Sequence, residues 1–187
     1  MFMTHFSLSA VLRACLFSWS AAALCLPASA HVTLEYGVAN ANTYYKANFK
    51  IGHGCGASAT RQVVVQIPAG VQGAKPMPKA GWVIDIERTK LAQPYKDHGR
   101  TVTEDVSRVT WTAKTEADAL PNSFYDEFAL RAKLGMPAGL VYWQVSQVCH
   151  EGRLDWAQTP KAGQKPSDLQ FPAALLEVLP ASGGHAH

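Results

Sequence analysis

From residue 31 onward the apolar residues of this chain return at every second position in short runs, and no stretch carries a 3.6-residue period with caps at both ends. "HVTLEY", "TYYKANFKI", "RQVVVQI", "WVIDIER", "SRVTWTA" and "YDEFALRAKL" each read as a strand. "LVYWQVSQV" is the most apolar and reads as one central strand, and "AALLEVL" closes the set as a last strand or a short helix. Turn residues fill the gaps in "GHGCGAS", "PAGVQGAKPMPKAG", "PYKDHGR", "LPNS" and "GMPAG". Many short strands at even spacing predict an all-β fold, a β-sandwich of immunoglobulin or cupredoxin type.

Residues 1–30 read differently. Arg13 is the leader's only basic residue besides His5, and no acid precedes Glu35. The run from Ala14 to Leu26 is too short to span a bilayer of about 30 Å but matches the apolar core of a signal peptide. Pro27 ends it, and Ala28-Ser29-Ala30 supplies the small residues of a cleavage site. Cys15 and Cys25 raise a lipoprotein alternative, but neither follows the small residues that lipidation needs. The expected organisation is a signal peptide over 1–30, a β-sandwich over 31–180 and a disordered tail over 181–187. The processed protein is then periplasmic or secreted, with no membrane anchor.

Cleavage leaves sixteen basic against fourteen acidic residues, a net charge of +2. That charge, with its basic residues dispersed, excludes a nucleic-acid binder. Two cysteines remain, Cys55 and Cys149, which in an oxidising compartment most simply form one disulfide. No phosphate loop, "GxSxG" or "HExxH" occurs, and "CHEGRLDWAQ" lacks the downstream His and Met of a blue-copper site.

Cleavage after Ala30 would make His31 the first residue. A terminal histidine can grip one metal ion through its α-amine and imidazole Nδ1, a nitrogen pair that suits Cu(II). Candidate carboxylates are Glu35, Glu127 and Glu151, with Glu127 set in an alternating strand among aromatics. A Cys55–Cys149 bridge would bring His53 and His150 near each other, as a second metal pair or as solvated loop residues. Trp111 and Trp143 read as core. Trp156, in the polar "GRLDWAQ", is less obviously so, and an indole face can cap a cation. His185 and His187 in the tail offer weak metal scavenging at most.

"HVTLEYGVANANTYYKANFKIGHGCGAS", "VQGAKPMPKAGW", "LPNSFYDEFALRAKL" and "VSQVCHEGRLDWAQTP" together resemble the YcnI-like family of extracytoplasmic copper-binding proteins, in the same order and over nearly all of the chain after residue 30. The resemblance implies a fibronectin-like or cupredoxin-like sandwich holding Cu(II) in a single-histidine brace. His31 would supply amine and imidazole, Glu127 the carboxylate, and Trp156 the indole over the metal, with Trp82 its rival. It also implies a non-catalytic role in copper capture, trafficking or delivery, with a copper transporter or assembly factor as partner. The chain departs from the family in carrying Gly52 where proline often precedes the HGCG turn, and in lacking a C-terminal anchor. Two other functions stay open. A copper oxygenase would place a second imidazole, from His53, His98 or His150, on the metal. In a metal-free interaction module His31 would be incidental.

Overall fold

The computed structural model describes residues 31–181. The expected leader and residues 182–187, with His185 and His187, lie outside the described residues. Alternation sets the strands. In β3 (Tyr44–Ile51) Tyr45, Ala47, Phe49 and Ile51 are buried, and in β8 (Asp126–Leu134) Phe128, Leu130, Ala132 and Leu134 are. The opposite face of β8 carries Glu127, Ala129, Arg131 and Lys133, since successive side chains point to opposite sides. With β1 (Thr33–Leu34) and β5 (Val71–Pro76) these strands make a four-stranded sheet in the order β1-β3-β8-β5.

A five-stranded sheet is built from β4 (Thr60–Gln66), β6 (Trp82–Asp97), β7 (Arg100–Ala113), β10 (Val145–Cys149) and β11 (Arg153–Trp156), in the order β11-β10-β4-β7-β6. A smaller sheet runs β2-β12-β9, from β2 (Val38–Asn40), β9 (Gly139–Trp143) and β12 (Ala174–Leu179). The described residues contain no α-helix, only two single-turn 3-10 segments.

The sheets form a sandwich around one core. Phe128 meets Trp82 and Trp111 of the five-stranded sheet edge-on, at ring centroid distances of 4.8 and 5.8 Å. Phe49 meets Trp143 at 5.5 Å. These rings, with Val63, Val65, Val109 and Leu176, are almost wholly removed from water. Each contributes about 1.5–3 kcal/mol of transfer free energy. The expected disulfide is present, joining Cys55 to Cys149 at the end of β10. Its turn demands glycine at 54, where a Cβ would fall 1.9 Å from the Ser58 carbonyl oxygen.

The structure corrects the strand reading in several places. "LVYWQVSQV" is two strands in two sheets: Trp143 pairs with Ala174, whereas Val145 pairs with Val65 and Trp156. Gln144 is the crossing point, and its carbonyl accepts from Gln66 N at 3.0 Å. Both halves are apolar, so the run hides the change of sheet. "PYKDHGR" is the end of a long β6–β7 hairpin, where His98 and Gly99 take φ of 45° and 78°. Those left-handed values make a two-residue turn whose twist matches the strands. "VQGAKP" and "RLDW" also form strands, and the opening "HVTLEY" keeps only two strand residues.

Candidate functional site

The domain begins at one end of the sandwich. Thr33, Lys50 and Glu127 lie side by side across β1, β3 and β8, so they share the outer face of the four-stranded sheet. His31, two residues before Thr33, lies against Trp156, the last residue of β11, with ring centroids 5.9 Å apart at 63°. Its Nε2 is buried with no hydrogen-bond partner, so packing holds that edge of the ring. A ligand on the ring would add the missing fixed point.

Trp156, less obviously core from its polar segment, is 2% exposed. Phe171 packs on it at 5.4 Å, and its indole Nε1 donates to Gln147 Oε1 at 3.2 Å. The buried Gln147 amide in turn donates to the His53 carbonyl and to Thr60 Oγ1, fixing the indole to the HGCG turn. His53 approaches the same indole at 6.1 Å. Its Nδ1 pairs with the Gly54 carbonyl, which only accepts, so the neutral ring carries its proton there and its lone pair on Nε2. Of the two rival tryptophans Trp156 is the one at His31; Trp82 packs on Phe128 in the core.

The carboxylates form a second cluster on the outer face. Asn48 is 1% exposed although it points outward, and its Nδ2 donates both to Glu35 Oε2 at 3.0 Å and to Glu127 Oε2. Tyr125 OH donates to Glu127 Oε1. Glu35 leaves its mark on Tyr45, whose hydroxyl is pushed up to about 12, first by burial and then by that carboxylate. Lys79, from the "KPMPK" stretch, bonds Asp126 Oδ1 at 2.7 Å and the Glu127 carbonyl at 3.2 Å, anchoring the start of β8.

His31 and Trp156 are thus brought together, while Glu127 makes neither a hydrogen bond nor an ion pair with His31. Among the described residues, no three His, Cys, Asp or Glu side chains are gathered as a metal-binding group. His150 Nε2 bonds Glu116 Oε2 at 2.9 Å. His98 is at the tip of the β6–β7 hairpin, and Glu151 is exposed. Sequence reasoning missed Asn48 and Gln147. Gln147 left a signal, a glutamine at an inward position of an apolar strand; Asn48 left none, since it alternates with Lys46 and Lys50 like any surface residue.

No helix among the described residues is long and apolar enough to cross a membrane. The chain is similar to a crystal structure of an uncharacterized protein from Nocardia farcinica described as having an immunoglobulin-like fold. That likeness has a TM-score of 0.62 and 23% identity, covering 81% of this chain and 99% of the other, and shows the fold. No curated protein matches. Residues 31–178 match the family described as a domain of unknown function, DUF1775, to which the YcnI-like resemblance also points, and the chain belongs to that family.

Proposed function

We propose that this protein binds Cu(II) outside the cytoplasm and passes it on, with His31 as the primary ligand once the preceding residues are removed. The contact between His31 and the enclosed indole of Trp156 carries this reading. An imidazole at the first position of the family match, its Nε2 buried without a hydrogen-bond partner, is suited to take its orientation from a metal. In the uncleaved chain residue 31 has an amide nitrogen, a poor ligand; cleavage exposes an amine that titrates near pH ~8 and completes a chelate ring. Glu127, in the strand row of Thr33, is the carboxylate for the remaining position, and Asn48 sets its direction.

Copper is cargo in this reading. One imidazole, one amine and one carboxylate favour Cu(II) over Cu(I), so reduction by an external one-electron donor weakens the hold and permits transfer to a transporter or assembly factor. The second reading, a copper oxygenase, is favoured by His53 lying against the same indole as His31.

The test is Cu(II) titration and electron paramagnetic resonance on protein beginning at His31, beside Glu127→Ala and a form with one extra residue before His31. One tightly bound equivalent with one imidazole, altered by Glu127→Ala and lost in the extended form, is expected. Two coordinated imidazoles would shift the reading to the oxygenase. Equal affinity in the extended form would refute the brace, and no stoichiometric binding would leave an interaction module.

A further inference from the structure

The outer face of the four-stranded sheet carries mixed charge at one end, where Glu35 and Glu127 lie beside Lys50. Four residues along β8 from Glu127, about 13 Å at strand rise, only cations remain. Lys46, Arg131 and Lys75 face one another directly across β3, β8 and β5. In the next row Lys133 sits between Tyr44 and Gln72. Like charges directly opposite in a sheet repel, yet none of these four cations makes an ion pair within 4.0 Å among the described residues. The unrelieved row is what a site for an anion requires.

The β6–β7 hairpin turns that row into a cleft of about 160 Å³, lined by Lys75, Arg131 and Lys133 on the sheet and by Tyr95, Asp97 and His98 on the hairpin. The hairpin is pinned in place. Asp105 is 5% exposed, and its Oδ2 accepts from Tyr95 OH at 2.6 Å and from Gly73 N in β5 at 2.8 Å. Its Oδ1 accepts from Val106 N. That carboxylate is therefore saturated by donors and spans hairpin and sheet. Arg131 lies over the Tyr44 ring, its Cζ 3.8 Å from the centroid, a contact that restrains the side chain beside the cleft. Asp97, the one carboxylate in the lining, is 3.8 Å from His98 Nε2. Three cations against one carboxylate leave an excess that matches a dianion rather than a single carboxylate. The volume admits a few water-sized groups and no drug-sized ligand.

We propose that this cleft binds a doubly charged tetrahedral oxyanion, an inorganic phosphate or the phosphoryl group of a larger molecule, with Arg131 as its bidentate partner and Lys75 and Lys133 as flanking charges. The inference is independent of the copper reading. The experiment titrates the protein beginning at His31 with inorganic phosphate by calorimetry and amide NMR at constant ionic strength, and separately measures its sedimentation with vesicles containing phosphatidic acid or only phosphatidylcholine. Arg131→Gln is compared with Lys161→Gln, which removes the same charge from an exposed loop, and thermal melting verifies that both variants fold. Arg131→Gln is expected to weaken binding roughly tenfold or more, the size of one charge-assisted bidentate contact, and Lys161→Gln to leave it unchanged. Arg131-dependent binding of inorganic phosphate identifies a free oxyanion as the ligand. The same dependence on phosphatidic acid vesicles alone identifies a lipid phosphoryl group. Equal effects of the two substitutions, or no binding in either arm, would overturn the proposal.

Discussion

Replacing Gln147 with methionine keeps nearly the same volume and removes every polar atom from the centre of the Trp156 network. Gln147 is 1% exposed and satisfies three groups: Trp156 Nε1–H, Thr60 Oγ1 and the His53 carbonyl. Trp156 and Thr60 are themselves buried, so neither regains water when the amide is lost. An orphaned buried polar group costs about 1–3 kcal/mol. Each group can relax in part, Thr60 Oγ1 toward Cys149 Sγ for example, so at roughly 1 to just under 2 kcal/mol apiece the three together give about 3–5 kcal/mol. For a domain of this size that lowers Tm by roughly 6–20 °C at ~2–4 °C per kcal/mol. The assay is urea unfolding with the disulfide intact, followed by Trp fluorescence, with an unchanged m-value showing that the two end states are the same. Leu154, which pairs with Gln147 across β10 and β11 on an edge strand, provides a comparison through Leu154→Met, expected within about 1.5 kcal/mol as a volume-conserving change. A loss below about 1 kcal/mol in Gln147→Met would refute the claim that this amide holds the indole in place.

The double variant Cys55→Ala/Cys149→Ala should lose about 2–5 kcal/mol, because the bridge closes a loop of 94 positions; urea unfolding beside the oxidised wild type measures it. Asn48→Leu leaves Glu35 and Glu127 without their shared donor and should cost about 1–3 kcal/mol, with an altered Cu(II) spectrum if Glu127 is a ligand; an unaltered spectrum alongside stoichiometric binding would remove Glu127 from the site. Stability should fall as pH rises from 10 to 12, because Tyr45 is held neutral in the folded state to about 12 while the unfolded chain loses that proton near 10.0. Tyr95, raised by burial first and by Asp105 next, acts in the same direction. Thermal melting against pH measures the slope, and a slope unaffected by Tyr45→Phe and Tyr95→Phe would contradict the assignment.

The all-β architecture was legible because period-two alternation is a local property. "TYYKANFKI" and "YDEFALRAKL" each place four apolar residues on one face, and in the structure they are neighbours, β3 and β8, with Phe49 opposite Phe128. The disulfide was legible for a similar reason, since the two cysteines after residue 30 leave one pairing among themselves. Gly54 and Gly56 were legible only as a turn; the reason for the first, a carbonyl oxygen occupying the space of its Cβ, belongs to the folded chain.

What the sequence by itself determined was strand character and the single core; the imidazole at 31, carboxylate at 127 and indole at 156 it offered only as candidates. What only the tertiary structure decided was how far-separated positions meet. It set Trp156 rather than Trp82 against His31, buried Asn48, which alternates like a surface residue, and split one apolar run between two sheets. It also aligned Lys46, Arg131 and Lys75 across three strands whose separate sequences show no basic cluster. The physical reason is common to all of these. Periodicity reports which face of a strand is buried, whereas strand order and register, chosen by the packing of the whole core, decide what lies on the neighbouring strand.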